Sequence, residues 1–168
     1  MALDNAYIQQ QLTAQFGEDF FSFSESYGML TAEFAKDSNL KVLQFLYDEP
    51  ALSFRFLTDL CAVHNPDLPG RELCVVYHLH NLQENVRLRL KIYTAVEEPQ
   101  VFTATRLFSS ANWMERETYD FYGVIFTGHP NLKRVLNVDE MDYFPLRKEF
   151  PLEDQTRIDK DDEMFGRG

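Results

Sequence analysis

Apolar residues recur every four positions near the start of the chain. Ile8, Leu12 and Phe16 stand one turn apart, which predicts a helix from Asn5 to Phe16. The period then shortens to two. Phe21 and Phe23 alternate with Ser22 and Ser24, and Leu30, Ala32 and Phe34 alternate with Met29, Thr31 and Glu33, predicting two strands. Asp37 or Ser38 can cap a second helix running to about Asp48, with Leu40, Leu43 and Tyr47 on one face and Pro50 as its stop. Three more strands are predicted at 54–63, 73–80 and 86–93, the first two separated by the turn residues Asn65-Pro66-Asp67 and Pro69-Gly70. In the last strand Val86, Leu88, Leu90 and Ile92 point one way and Arg87, Arg89 and Lys91 the other. That is the pattern of a half-buried antiparallel strand with a charged solvent face. The order α-β-β-α-β-β-β predicts a two-layer α+β domain, a mixed sheet with helices on one side.

From Gln100 the character changes. Two short helices are expected, at 100–108 and 112–122, and beyond Phe126 no periodicity is visible. This last stretch carries Pro130, Pro145 and Pro151 and a charged run at 159–163. It is too long for an ordinary loop. With Leu132, Val135, Leu136, Val138, Tyr143, Phe144 and Leu146 it is also too apolar for a solvated linker. The expected organisation is therefore a globular domain over 1–126 and an extended partner-docking tail over 127–168.

Composition narrows the function. The chain has 168 residues and a formal net charge of −11. That balance argues against nucleic acid and against direct binding to an anionic membrane, because both need clustered cations. No stretch approaches the roughly 20 apolar residues that span a bilayer, so membrane association is expected only through protein partners. The N-terminal residues resemble neither a secretory signal nor an Arg-rich transit peptide. Two cysteines, Cys61 and Cys74, are too few for a disulfide framework or a four-thiolate cluster, and a reducing compartment is expected.

The most informative stretch is 112–123. Asn112 followed by Glu115 has capping-box spacing, and Gly123 suits the left-handed residue after a helix end. At 100° per residue Trp113, Met114, Glu117 and Phe121 share a face, which sets Glu117 in an apolar stripe. Either Arg134 or Arg147 from the tail pairs with it, the favoured reading, or the helix end is exposed there and Glu117 is hydrated. Arg116 and Asp120, one turn apart, can pair.

The run from Glu115 to Leu136, ERETYDFYGVIFTGHPNLKRVL, resembles the signature of the 30-kDa subunit family of respiratory complex I: E-R-E, two residues, D, two aromatics, G, then F-x-G-H-P-N-L-x-R. A further segment, Pro145-Leu-Arg-Lys-Glu-Phe-Pro151, is similar to that family's P-L-R-K-D-Y-P, with Glu149 and Phe150 as conservative departures. Met141-Asp-Tyr-Phe144 stands where the family usually carries Trp and Gly. The sequence ends soon after this motif, so the form fused to its 49-kDa-type neighbour is not expected.

The resemblance implies the 30-kDa-type subunit of a bacterial NADH:quinone oxidoreductase, a non-catalytic assembly subunit of the peripheral arm, on the cytoplasmic side of the inner membrane. It implies packing on the 49-kDa-type subunit and neighbouring iron–sulfur subunits, with the tail crossing the former. The complex would use NADH, FMN, iron–sulfur clusters and quinone and move protons, with no cofactor held by this chain. Carried over as interface and tail-positioning candidates are Glu115, Arg116, Glu117, Asp120, Gly123, Gly128, His129, Pro130, Arg134, Pro145, Leu146, Arg147 and Lys148.

Three other chemistries have some support in the residues. Cys61, His64, Cys74, His78 and His80 are zinc-type ligands, but alternation puts Cys61 and His64 on opposite faces. A hairpin turning through Asn81 to Glu84 would set His78 opposite Arg87 and Cys74 opposite Lys91, which opposes a divalent metal. Glu115, Glu117, Asp120 and His129 could serve acid–base chemistry if gathered, but Glu115 and Glu117 project about 200° apart on a helix. The Arg87, Arg89, Lys91 stripe could meet an acidic partner, or be an ordinary solvated strand face.

Overall fold

The computed structural model describes residues 3–150. Helix α1 (Asn5–Phe16) starts at Asp4, whose carboxylate accepts from the Tyr7 amide at 2.8 Å. Strands β1 (Ser22–Ser26) and β2 (Met29–Ala35) lead into α2 (Asn39–Asp48), followed by β3 (Phe56–His64), β4 (Leu73–Asn81) and β5 (Val86–Thr94). The expected α-β-β-α-β-β-β order is therefore the observed one. α2 turns a different face inward than expected. Asn39, Val42, Leu43 and Leu46 are buried, while Leu40 and Tyr47 are only partly so.

The five strands lie in the order β1-β2-β5-β4-β3. Neighbours are antiparallel except β2 and β5, whose parallel pairing requires the long crossover through α2, β3 and β4. Alternation divides the sheet cleanly. Leu30, Ala32 and Phe34 of β2 and Leu88, Leu90 and Ile92 of β5 join one apolar cluster with Ile8 and Leu12 of α1 and Val42, Leu43 and Leu46 of α2. An aromatic group closes the cluster at one end, with Phe16 edge-on to Phe21 and Phe45 at 5.7 and 5.6 Å. A bulge at Thr58 lets both Leu57 and Leu60 face this core from β3.

Two expectations fail here. Residues 100–108 form a three-residue strand, β6 (Gln100–Phe102), and turns rather than a helix. β6 pairs in parallel with β7 (Ile125–Thr127), so its conformation is set by residues beyond the next helix. The β4–β5 register is also displaced by two residues from the expected one. His78 stands opposite Arg89 and Cys74 opposite Tyr93, because the connection runs through 82–85 with the Asn81 side chain accepting from the amides of Gln83 and Glu84. A shift of two keeps every side chain on its expected face.

Between β6 and β7 lies α3 (Ala111–Tyr122), packed along the edge strand β3. Asn39 ties this end of the molecule to α2 by donating to the Phe102 carbonyl at 2.7 Å.

Candidate functional site

α3 buries its polar side more fully than its apolar stripe. Its buried residues are Ala111, Glu115, Arg116, Thr118 and Asp120, whereas Trp113 is 63% exposed and Glu117 is exposed. Trp113 and Glu117 of the apolar stripe are thus exposed, while Met114 and Phe121 are partly buried and Met114 packs against the core. Glu117 has no ion pair among the described residues. What draws the polar side inward is a set of hydrogen-bonding groups that meet it from the loop after β6 and from the segment after β7.

Asp120 is the centre of that set. One carboxylate oxygen accepts from the successive amides of Val135, Leu136 and Asn137 at 3.0, 2.7 and 3.0 Å. The other accepts from Arg134 Nη1 at 2.8 Å and Asn137 Nδ2 at 3.0 Å. Burial pushes this carboxyl up, but the amides of Asn137 and Leu136, the Arg134 guanidinium and the Val135 amide outweigh it and hold Asp120 well below the usual carboxylate range. Three consecutive amides around one anion form a backbone nest, and the buried charge is fully partnered. The expected Arg116–Asp120 pair does not form, because Arg134 and the nest occupy both oxygens.

Each arginine here holds backbone rather than only charge. Arg134 also donates to the carbonyls of Asp120, Met141 and Tyr143 at 2.8, 2.8 and 2.9 Å. Arg116 donates to the carbonyls of Lys133 and Arg134 and lies 4.7 Å from the centre of the Trp113 ring. Arg147 Nε donates to the Tyr122 carbonyl at 2.8 Å, satisfying an oxygen at the helix end. The Phe144 ring is met by the guanidinium groups of Arg134 and Arg147, at 5.1 and 4.7 Å. Gly123 is in the left-handed region at φ 78°, as expected, and a Cβ there would come within 2.5 Å of that ring.

Glu115 faces the other way. It is fully buried and accepts from Thr103 Oγ1 and the Ala104 amide, both at 2.6 Å. Its carboxylate is therefore not part of a capping box. The residue before the helix is Ser110, and Asn112 lies within it. Burial pushes the Glu115 carboxyl up to about 7, against those two hydrogen bonds.

The remaining candidates line the same segment. His129 Nδ1 accepts from the Asn131 amide at 3.0 Å, so Nε2 carries the proton and donates to the Asn112 carbonyl at 3.1 Å. Gly128 takes φ 86° beside Thr103, and Pro130 is exposed. The Leu146 amide donates to the Phe121 carbonyl and the Lys148 amide to His64 Nδ1, while Pro145 is partly buried. The structure thus joins Arg116, Asp120, Gly123, His129, Arg134, Leu146 and Arg147 into one assembly of α3 and residues 127–150, while Glu115 and Gly128 meet the loop after β6, Lys148 meets β3, and Glu117 and Pro130 are exposed. Sequence reasoning misses Asn137, Phe144 and Thr103. Only Phe144, an aromatic directly before the P-L-R-K run, leaves a readable signal.

The outer surface of this assembly exposes four apolar side chains among charged ones such as Asp139, Glu140 and Asp142. Leu136 and Val138 are 66% and 63% exposed, and Tyr143 and Leu146 are exposed as well. The anchor of residues 127–150 is therefore internal to the chain, a difference from a tail shaped only by a partner. Residues 151–168, with Pro151 and the charged run, lie outside the described residues. Among the described residues no group of three or more His, Cys, Asp or Glu side chains is gathered to hold a metal ion. Burial pushes both cysteine thiols up to about 11, away from the thiolate form.

Residues 32–156, which contain this whole assembly, match the family model described as respiratory-chain NADH dehydrogenase, 30 Kd subunit. The chain belongs to that family. A protein of Azorhizobium caulinodans, named as the C-type subunit of NADH-quinone oxidoreductase, is 45% identical over 83% of the chain. One of Parvibaculum lavamentivorans with the same name is 38% identical over 94%. The chain spans 65% of the Azorhizobium protein's length and 78% of the Parvibaculum protein's. Among solved structures, a trypsin-resistant fragment of Nqo5 superposes with a TM-score of 0.64 at 26% identity, covering 76% of the chain and 98% of the fragment. A chain of an archaeal membrane-bound sulfane sulfur reductase shares the fold, with a TM-score of 0.73 at 20% identity, over 88% of this chain and 85% of that one. Membership in the 30 Kd family accounts for the α+β sheet, and the run from Glu115 to Leu136 builds most of the polar cage around Asp120.

Proposed function

We propose that the chain is a cofactor-free assembly subunit in the peripheral arm of a bacterial proton-translocating NADH:quinone oxidoreductase. In this reading it supports electron transfer from NADH through FMN and iron–sulfur clusters to quinone, all carried by other subunits. It docks on the 49-kDa-type subunit beside neighbouring iron–sulfur subunits, at the cytoplasmic side of the inner membrane. No described helix is long and apolar enough to cross a membrane, which fits attachment through partners.

The observation that carries the reading is the exposure of four apolar side chains, Leu136, Val138, Tyr143 and Leu146, on a segment already fixed by the Asp120 cage. Apolar side chains held rigid in solvent bind with little further ordering cost. The test is co-purification of the full chain with the 49-kDa-type subunit. Leu136→Asp together with Val138→Asp should lose the partner, as should truncation after Gly128. Retention by both variants would sink the docking role.

A further inference from the structure

The sheet has a second face, turned away from α1 and α2, that the docking site leaves unused. Strand register sets its residues in rows. Thr31, Arg89, His78 and Asp59 run across one row, and Glu33, Lys91, Val76 and Cys61 across the next. Ser22 and Ser24 of β1 extend these rows to the edge, opposite Glu33 and Thr31. None of these residues belongs to the apolar cluster. Thr31 and Val76 are nevertheless buried.

The centre of this face is positive in a chain of net charge −11, with the exposed Glu117 of α3 near Cys61 at one border and Asp37 and Glu98 beside Glu33, Arg71 and Tyr93 at the other. Arg87, Arg89 and Lys91 come from β5, and Arg71 lies over the Tyr93 ring at 4.0 Å. Only Glu33 and Asp59 in these rows oppose them. Glu33 is shared between Arg71 at 3.6 Å and Lys91 at 3.8 Å. Asp59 stands 3.6 Å from His78 Nδ1. Arg89 Nε donates to His78 Nε2 at 2.9 Å, which aims its guanidinium without neutralising it. Burial, then the Arg89 charge, lowers the His78 pKa, so the imidazole remains an uncharged acceptor. Neither Arg87 nor Arg89 has a carboxylate in ion-pair range among the described residues.

We propose that this sheet face docks an acidic polypeptide segment of a neighbouring protein, with Arg87 and Arg89 taking its carboxylates and Arg71 and Lys91 bordering the contact. The planar forks of the two arginines match carboxylates, and their spacing of two residues along β5 sets them on the same face about 7 Å apart. A protein segment fits better than a polyphosphate or a lipid surface. The chain's overall negative charge repels an extended polyanion, and Glu33 and Asp59 sit within the face itself.

The test is carbodiimide cross-linking of the assembled oxidoreductase, followed by peptide mass spectrometry. It rests on the assembly role above, and its arms separate the two ideas. Lys91 should form an amide with an Asp or Glu of a neighbouring subunit. Arg87→Glu with Arg89→Glu should lower that yield about tenfold, consistent with loss of complementary charge. Arg87→Gln with Arg89→Gln, checked by thermal melting, gives the same direction without charge reversal. A chain that stays in the complex while Lys91 couples only within its own chain, or with yields indifferent to these changes, leaves the assembly role standing and ends this proposal. Absence of the unaltered chain from the complex would end both. Arginine-dependent binding of the full chain to oligouridylate or to phosphatidylglycerol vesicles, in place of the protein cross-link, would also overturn it.

Discussion

At the scale of single residues, α3 holds two buried carboxylates five positions apart with opposite chemistry. Asp120 has five donors and is held ionised, while Glu115 has two and is pushed toward the neutral acid. The sign of the Glu115 effect follows from its raised pKa. Folding favours the proton, so its contribution is fullest below the ordinary carboxyl value of 4.5 and is lost as pH rises to about 7. Glu115→Gln keeps an acceptor for the Ala104 amide and removes the ionisation. The variant should be more stable than the parent at pH 8, by about 1–2 kcal/mol, and should not weaken between pH 4.5 and 7 through this group. Urea melts across that range check it. A parallel pH dependence in both proteins would rule out Glu115 as the source.

At the scale of elements, the exit from α3 is the tightest point. Gly123 combines φ 78° with a Phe144 ring that leaves no room for a methyl group. Gly123→Ala should cost more than the ~1 kcal/mol of the backbone effect alone, because Phe144 must leave its seat between two arginines. Hydrogen exchange should then speed at the Leu146 amide, which bonds the Phe121 carbonyl, with little change in β4. Unchanged Leu146 protection would show that the ring does not anchor the segment. The same contrast explains what is readable in the sequence. β5 and β2 bury one face against a local apolar core, so alternation locates them to within a residue or two and fixes which side faces in. Periodicity also locates α3, but it does not show which residues are buried, because Arg134 and the 135–137 amides draw Asp120 inward and Trp113 and Glu117 stay exposed. β6 escapes it for a related reason. Val101 and Phe102 pair with β7, and nothing within 100–108 announces that partner.

At the scale of the whole molecule, two kinds of adhesion hold the described chain together. The sheet and α1–α2 rest on buried aliphatic and aromatic surface, which pH hardly touches. Residues 131–150 rest largely on polar cages, and the central one needs a charged Asp120. Because the Asp120 pKa is depressed, its contribution is present above the ordinary value of 3.8 and is lost as pH falls toward the folded value. The docking segment should therefore come away in acid before the sheet unfolds. As pH falls below 3.8 the amides of Val135, Leu136 and Asn137 should lose hydrogen-exchange protection progressively, and ahead of those of β4 and β5. Asp120→Asn should produce the same local release at pH 7, since it leaves the Arg134 guanidinium buried without its counter-charge, a loss of about 3 kcal/mol. Simultaneous loss of protection in the sheet and at 135–137 would show instead that the segment and the domain form one cooperative unit. The exposed side chains of Leu136, Val138, Tyr143 and Leu146 would then depend on the whole fold rather than on one carboxylate.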